Sequence, residues 1–265
     1  MNMMKRFFYL AAIFVTVLCT ATAQQTYDIR LNLNPPIKVP LRQNMRQDNS
    51  VSYGGQNMKS VNNVKTDLVF SIMEKKGENY IINAVINKIE VENEGMGQTQ
   101  KISSEDSENN FNKAIKKMTH NVVKAEITPY FEVVGEPVAV TEGVDNEVVK
   151  AIMKSFTDLL SELYHASVKK GDSWTVEDKE AGSKNVYTLT DVTEHSYLIN
   201  AKLSIDGDFQ GAAVSGVGSM NVEIDRATGV PLYGLMTLPL KGSAMAEGMT
   251  INIETNTTSS FEFAQ

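Results

Sequence analysis

Three histidines, His120, His165 and His195, are the side chains in this sequence best suited to acid–base catalysis or metal binding. A zinc site of the common kind needs closely spaced histidines, and these three are far apart along the chain. His120 and His165 fall near the ends of predicted helices, where an imidazole can pair with free carbonyl groups. His195 falls in a predicted hairpin turn. We therefore predict structural or solvent-facing roles for all three, and no metal site.

Nucleophilic catalysis has no support in the sequence. The chain lacks the Gly-x-Ser-x-Gly turn of serine hydrolases, and no Ser-x-x-Lys occurs with the companion motifs of penicillin-binding enzymes. The stretch "SGVGSM" (Ser215–Met220) contains Gly-x-Gly but lacks the Lys and the helix start that phosphate binding requires. We predict no catalytic residues, no cofactor and no enzymatic activity. A hydrolase in which the fold brings two carboxylates together stays open as an alternative.

Two acidic clusters precede predicted helices. Their members are Glu105, Asp106 and Glu108 in the first, and Asp145 and Glu147 in the second. The first cluster lacks the Gly and the final Glu of a calcium-binding loop. Negative charge is favoured at the start of a helix by the helix dipole. We interpret both clusters as helix-start electrostatics rather than as metal sites.

Methionines are concentrated in the C-terminal third of the chain, at Met220, Met236, Met245 and Met249. Methionine is flexible and polarisable, so it fills irregular gaps in cores and also lines surfaces that accept varied apolar ligands. The sequence leaves both interpretations open, and the ligand-binding residues stay unknown at this stage.

The first residues have the composition of an export signal. Lys5 and Arg6 are followed by the apolar run Phe7–Leu18 and by a small-x-small site at Ala21–Ala23. We predict that residues 1–23 are a signal peptide, cleaved before Gln24, and that the protein resides in the periplasm or cell envelope. No later segment approaches the roughly 20 apolar residues that span a bilayer. We therefore predict no transmembrane span in the mature chain.

Cys19, the single cysteine, offers an alternative, because a lipid-modified cysteine would anchor the protein. Such signals use a small residue before the cysteine, and Leu18 precedes it here, so cleavage after Ala23 is favoured. Cys19 then leaves with the signal, and the mature chain can form no disulfide. An exported domain without disulfides depends on its hydrophobic core for stability.

The composition narrows the class of protein further. The sequence has 265 residues, a net charge of −7 and 42% hydrophobic residues. The acidic balance gives no support to nucleic-acid binding, which requires basic surface. Residues 24–265 are long enough for one large β-rich domain, and we predict a single domain without a nucleic-acid partner.

Alternating hydrophobicity is the dominant pattern along the chain. In Tyr197–Ile205 the odd positions are apolar or small, and Asn200, Lys202 and Ser204 lie between them. Thr250–Phe263 alternates in the same way, with one wholly polar face. One buried face and one wet face are typical of an antiparallel sheet.

A short repeat indicates two related halves. "YIINAVI" (Tyr80–Ile86) and "YLINAKL" (Tyr197–Leu203) each follow a predicted hairpin turn, and each places its Asn opposite its Tyr, Ile and Ala. A second match joins Gly135–Val138 to Gly229–Leu232. We predict halves at about 24–142 and 168–265. The Tyr repeat is an architectural signature and not a shared active site, because the two copies share no further polar residue.

Two helices are predicted from spacing near 3.6 residues. The stronger one covers about 145–165, with Asp145 or Asn146 as its N-cap and a broad apolar stripe that includes Phe156 and Leu160. A weaker one covers 109–124, with Asn110 as its N-cap. Phe111, Ala114, Ile115, Met118 and Val122 form its apolar side.

Three segments lack clear periodicity. Leu41–Asn63 is polar and rich in Asn and Gln, and we predict strand ends around a mobile loop. Asp208–Met220 and Leu240–Met249 are built from small residues. These two are either flexible loops or strands pressed against something that leaves no room for large side chains.

The order of these features resembles a known arrangement. An export signal, amphipathic strands in two copies, a helix between them and "VKKGDSW" (Val168–Trp174) at the start of the second copy resemble a domain-of-unknown-function family of secreted Bacteroidetes proteins. More distantly, the chain resembles the LolA/LppX-type half-barrel, whose members carry lipids or lipoproteins across the periplasm. The resemblance implies this fold and brings no catalytic residues.

We therefore predict a β-rich α+β fold, in which a curved antiparallel sheet (half-barrel) is formed by two related halves and an amphipathic helix packs on its concave face. The predicted function is a non-enzymatic periplasmic or envelope protein that binds an apolar or lipid-like ligand. The alternative is a structural or interaction module of the envelope, with a filled core, no ligand and an envelope protein as its partner.

Overall fold

The computed structural model describes residues 25–106, 110–179, 181–209, 212–246 and 249–263. The predicted signal peptide 1–23, with Cys19, lies outside these residues, as does Glu108. The strands are β1 (Thr26–Ile29), β2 (Ile37–Tyr53), β3 (Gln56–Lys76), β4 (Asn79–Gly95), β5 (Gln98–Ser103), β6 (Val123–Ile127), β7 (Val133–Ala139), β8 (His165–Lys169), β9 (Ser173–Asp178), β10 (Ser183–Val192), β11 (Ser196–Phe209), β12 (Ala212–Asp225), β13 (Pro231–Ala246) and β14 (Met249–Phe263). The helices are α1 (Asn110–Lys116) and α2 (Asn146–Leu160), and a 3₁₀ turn follows at Ser161–Leu163.

Twelve strands form one antiparallel sheet. Their order is β7-β6-β4-β3-β2-β14-β13-β12-β11-β10-β9, and β5 pairs with β4 beside β6. The chain therefore meanders from β2 to one edge, crosses over and meanders back from β9 to β14, which pairs with β2. Because β7 and β9 are not joined, the sheet stays open, and the predicted curved half-barrel is confirmed.

The two Tyr motifs occupy equivalent places in this meander. Tyr80 lies in β4 and Tyr197 lies in β11, each of which is the third strand from its edge along the main strand order. Both tyrosines are buried on the concave face, which we call the inner face. Asn83 is half-buried and Asn200 is exposed on the outer face, as the alternation predicts. The division into halves at 24–142 and 168–265 stays a prediction.

Helix α2 packs on the inner face at one end of the strands. The Asp145 side chain caps it by accepting a hydrogen bond from the Glu147 N–H at 2.9 Å. Phe156 and Leu160 have no exposed surface, and the Phe156 ring lies edge-on to Phe70 of β3, with ring centroids 6.1 Å apart. The predicted helix near 145–165 is confirmed, although the α-helix ends at Leu160.

The N-terminal segment, which comprises β1 and the residues up to the start of β2, closes the same end of the sheet. Its Leu31 N–H donates to the Pro129 carbonyl at 2.8 Å, and the next N–H, of Asn32, donates to the Thr228 carbonyl at 2.8 Å. The segment therefore links the two halves. Its own side chains Ile29 and Leu31 are fully buried, so the hydrophobic core is concentrated at this end.

The prediction of a mobile loop in Leu41–Asn63 is wrong. Strands β2 and β3 run through the segment and are joined only at Gly54 and Gly55, which both have positive φ. Their register is unbroken from Ile37↔Ile72 to Tyr53↔Gln56. Periodicity was hidden because Asn and Gln occur on both faces, so the usual contrast between apolar and polar positions is absent.

The predicted helix 109–124 is also wrong in extent and in orientation. Helix α1 ends at Lys116, and the chain enters β6 at Val123. Asn112 is buried, whereas Phe111 is 65% exposed. The Asn112 carboxamide accepts a hydrogen bond from the Ser103 N–H at 3.2 Å and donates to the Asp106 carboxylate at 2.7 Å. These polar contacts turn Asn112 inward and leave Phe111 in solvent.

The proposed match between Gly135–Val138 and Gly229–Leu232 does not extend to structure. Pro231 begins β13, but Pro137 lies inside β7. A proline is tolerated there because β7 is an edge strand and its outer side forms no ladder.

Candidate ligand-binding trough

The long strands of the sheet continue far beyond the part that α2 covers. In β2 the last buried residue is Leu41, and the strand continues to Tyr53. At 3.3 Å per residue this overhang is about 40 Å long. Strands β3, β4 and β11 to β14 accompany it, and neither helix of the described residues lies over this wide area of inner face. We call this uncovered inner face of β2–β5 and β11–β14 the trough.

The curvature of the sheet partly shields the inner face of the trough from solvent. Along the overhang of β14, the inner residues Ile251, Ile253 and Thr255 are half-buried, whereas the outer residues Asn252 and Glu254 are exposed. The same alternation between half-buried and exposed positions occurs in β12. The inner side is therefore concave, as it is in the helix-covered part.

Close strand approach produces this curvature on the β11–β13 side. A Cβ added to Gly216 would overlap the main chain at Pro239 and Leu240, and one added to Gly218 would overlap Thr237 and Leu238. Both glycines lie on the inner face, where bending inward brings neighbouring strands together. Asp208–Met220 and Leu240–Met249 therefore contribute strands, which is the second of the two predicted alternatives.

The inner face of the trough has no charged side chain within the described residues. Following the register of β2–β5 and β11–β14, each Lys, Arg, Asp and Glu of the overhang lies on the outer face. There they form exposed ion pairs such as Arg42–Asp67 at 3.0 Å and Lys241–Glu254 at 3.1 Å. Exposed pairs of this kind add little stability, so the segregation itself is the informative feature.

Apolar residues form one side of the trough. They occur on adjacent strands in register, because Leu203 pairs with Gly218, and Ile205 pairs with Gly216. We call this set the apolar wall, and its members are Leu203, Ile205, Val214, Leu238 and Leu240. A second apolar group, the apolar rim, lies near the strand ends and consists of Val51, Met58, Ile251 and Ile253.

A row of uncharged carboxamides crosses the other side, next to the apolar inner row Met45, Val64, Val91 and Ile102. Gln47 pairs with Asn62, which pairs with Asn93, which pairs with Gln100, so four strands carry amides in one row. We call the row and its neighbours the amide band, and its members are Gln47, Asn49, Asn62, Asn93, Gln98 and Gln100. Thr255 and Thr257 of β14 join the band to the apolar wall, since they pair with Leu240 and Leu238.

An open cavity of about 810 Å³ lies where the amide band meets the apolar rim. Its lining includes Val51, Met58, Asn93, Gln98 and Gln100. Pockets that hold drug-sized or cofactor-sized ligands are usually about 300–1,000 Å³. The space beneath α2, by contrast, is filled by side chains such as Phe156.

The histidines do not take part in the trough. His120, His165 and His195 are all exposed. The His165 ring packs on Trp174, with centroids 5.3 Å apart, and its Nδ1 lies 2.8 Å from the Ala166 carbonyl. Within the described ranges no three His, Cys, Asp or Glu side chains group closely enough to hold a metal ion.

A cluster around Glu162 holds the end of α2 against the sheet. The Tyr187 hydroxyl and the Asn185 amide both donate to the Glu162 carboxylate, and the Trp174 indole donates to the Glu162 carbonyl at 3.0 Å. Burial, with a smaller effect of Glu162, raises the pKa of Tyr187. The phenol therefore stays protonated and acts as a structural donor.

The second acidic cluster lies at the start of α2, as predicted, whereas the first turn of α1 has no acidic residue. Asp145 caps α2, and Glu147 in its first turn forms an ion pair with Lys150 at 2.9 Å. Glu105 pairs with Lys88 at 2.8 Å.

The methionines serve different purposes. Met220 is buried and faces Met236 at the boundary between the core and the trough. Met245 is 70% exposed on the outer face, and Met249 is 42% exposed. Met220 is thus core filler, and Met245 does not line the trough.

Sequence reasoning missed the amide band, because Gln47, Asn49 and Asn62 fall in the segment predicted as a loop. A usable signal was present in the charges. In β2 each charged residue of the overhang, Arg42, Arg46 and Asp48, has an even number. The odd positions are uncharged, which indicates a strand with one charge-free face.

Comparisons with known proteins show the fold. A structure of lipovitellin, described in connection with lipid–protein interactions, matches with a TM-score of 0.53 and 9% sequence identity, over 87% of this chain and 25% of the lipovitellin chain. The translocator domain of the autotransporter NalP from Neisseria meningitidis matches with a TM-score of only 0.22 at 10% identity, covering 88% of this chain and 90% of that domain. This second score is too low to indicate a shared fold.

The open curved sheet is thus an architecture that lipovitellin also contains, and this chain spans a quarter of lipovitellin's length. No protein-family model matches the sequence. No curated protein matches it. The resemblance to secreted Bacteroidetes proteins therefore stays a prediction. Within the described residues, none of the helices is long and apolar enough to cross a membrane.

Proposed function

We propose that this protein is an exported, non-enzymatic protein of the periplasm or cell envelope that binds an apolar or lipid-like ligand in the trough. The observation that carries the proposal is the charge-free inner face beyond the core, with apolar residues such as Leu238 and Leu240 left only half-buried. Burying apolar surface away from water is favourable by about 25 cal/mol of free energy per Å². A ligand with an acyl chain would provide that burial.

The concave shape and the cavity add to this argument. An apolar ligand on a flat sheet contacts protein on one side only, whereas the trough surrounds it on the sides formed by the apolar wall and the amide band. The cavity of about 810 Å³ at the rim offers space for part of such a ligand. The likeness to lipovitellin, a protein studied for its interactions with lipid, points in the same direction.

The second candidate is a structural or interaction module of the envelope. It is favoured by the filled space beneath α2 and by the edge strand β7, where Val134 and Val138 are 41% and 54% exposed. An added strand from an envelope protein could pair there. This candidate requires no ligand in the trough.

Native mass spectrometry of the protein purified from its own envelope separates the two candidates. We expect a population heavier than the bare chain by the mass of a bound lipid. Val214→Glu, which places a charge on the inner face, should abolish that population, because an unpaired charge next to an apolar ligand is strongly unfavourable. Val217→Glu, on the outer face of the same strand and 57% exposed, should retain it. Bare protein alone, with no uptake of a fluorescent lipid analogue, would favour the interaction module.

A further inference from the structure

We propose that the ligand of the trough is an uncharged amphiphile, in which a neutral hydrogen-bonding head lies on the amide band and an apolar chain lies along the apolar wall. This inference rests on the proposed function and specifies the ligand class. Its basis is the pattern of side chains across the inner face, where amides and apolar residues adjoin but cations and anions do not occur within the described overhang.

The lack of cations on the inner face, within the described strands, disfavours an anionic head. A carboxylate or phosphate that leaves water needs a paired cation or several strong donors to offset its desolvation. Among the described residues, the charged ones that line the cavity are Lys59 and Glu94, and both side chains project from the outer face of the sheet. They have opposite charges, so together they do not give the cavity a cationic lining.

The amide band suits a neutral head because a carboxamide supplies both donors and an acceptor. Part of this capacity is used internally, since the Thr255 hydroxyl donates to the Asn49 carboxamide oxygen at 2.9 Å. Asn62 and Asn93 are half-buried, and neither side chain hydrogen-bonds to another described residue. Hydroxyl, ester or amide groups of a ligand could pair with them.

The apolar surfaces on both sides of the band set the orientation. The apolar wall begins one strand away from the band, beyond Thr255 and Thr257. The apolar rim lies between the band and the strand ends. A molecule with one neutral polar group and a long chain satisfies all three surfaces, whereas a pure hydrocarbon would leave the band without partners.

Displacement of Nile red, an uncharged apolar dye, tests this inference separately from the proposed function. Binding of the dye by the wild-type protein shows whether the trough accepts an apolar molecule. The relative affinities of the two displacing ligands show which head group the protein prefers. The ligands are 1-oleoylglycerol and oleate, which share one acyl chain and differ in charge at pH 9. We expect the acylglycerol to displace the dye at a concentration at least tenfold lower than oleate.

Paired variants locate the head. Asn62→Leu should lower the affinity for the acylglycerol about fivefold, which is the effect of one lost neutral hydrogen bond. The affinity for the dye should be unchanged or higher. Asn63→Leu, on the outer face of the same strand, should change neither. Lys59→Met tests whether that ammonium attracts an anion, and we expect no change for oleate.

The outcomes are distinct. If the dye binds and oleate displaces it at the same concentration as the acylglycerol or a lower one, the neutral-head inference is overturned. The proposal of an apolar trough would then still stand. An unchanged acylglycerol affinity in Asn62→Leu would remove the amide band from the inference. Failure of the dye and of both ligands to bind would overturn the proposed function together with the inference.

Discussion

The hydroxyl of Tyr164 donates a hydrogen bond of 2.9 Å to the carbonyl oxygen of Gly229. This contact connects the chain just after α2 to the hairpin between β12 and β13, and it is fully enclosed, since Tyr164 is 5% exposed. Burial raises the pKa of Tyr164, so the phenol remains a donor at any physiological pH. The contact holds this part of the chain at the end of the sheet opposite the trough.

Tyr164→Phe should lower the free energy of unfolding by about 1–3 kcal/mol, because the Gly229 carbonyl would be left buried without its partner. Chemical denaturation followed by tryptophan fluorescence measures this. Ligand binding in the trough should persist at temperatures where the variant is folded. An unchanged midpoint would show that water replaces the hydroxyl.

The two repeat tyrosines should differ in their contribution to stability. The Tyr80 hydroxyl accepts a hydrogen bond from the Leu33 N–H at 3.1 Å and donates to the Leu31 carbonyl at 3.3 Å. Tyr197 packs edge-on to the Tyr27 ring at 5.9 Å, and its hydroxyl forms no hydrogen bond with the described residues. Tyr80→Phe should therefore cost about 1–3 kcal/mol. Tyr197→Phe should stay within about 0.5 kcal/mol, and equal effects in thermal unfolding would contradict the assignment.

Curvature of the trough should depend on Gly218. A Cβ there meets the main chain of the neighbouring strand, so Gly218→Ala should lower the free energy of unfolding by about 1–3 kcal/mol, as overpacking does. Ser219→Ala, at the next and outward-facing position, should stay within about 0.5 kcal/mol. Denaturant titration of both variants gives the comparison, and a tolerated Gly218→Ala would show that the strands can separate without loss.

Glu126 of β6 forms a pH-dependent contact. The ammonium of Lys76, at 2.7 Å, and then the amide of Asn79 hold the pKa of the Glu126 carboxyl below its usual range. Because the folded pKa is lower than the unfolded one, the contact's stabilisation is present above the unfolded value of about 4.3. It is lost as pH falls through the folded pKa. An NMR titration of the carboxyl should show a higher pKa in Lys76→Met, and an unchanged one would mean that the ion pair does not form.

The sequence predicted those parts of the fold in which apolar contrast is strong. The helix near Phe156 and the strands around Tyr197 have clear periods, and both were placed correctly. Leu41–Asn63 was misplaced because Gln and Asn on its inner face resemble loop residues, although they face a trough. The buried side of α1 was predicted wrongly, because a buried hydrogen bond to Asn112 outweighs the burial of Phe111.

The trough itself could not be predicted from any single strand. Its apolar wall joins β11, β12 and β13, and its amide band joins β2, β3, β4 and β5. Each of these strands contributes one or two residues to the wall or the band, and the combined surface exists only after β2 pairs with β14. That pairing joins the two ends of the chain, and local patterns do not specify it.

Photo-cross-linking tests the central claim most directly, that a ligand lies on the inner face of the overhang. An uncharged acylglycerol with a diazirine in its chain is bound, irradiated and located by peptide mass spectrometry. We predict cross-links at inner positions such as Val214, Leu240 and Ile253, and their loss when unlabelled acylglycerol competes. Cross-links at outer positions such as Val217 and Met245, or labelling that does not respond to competition, would contradict the account.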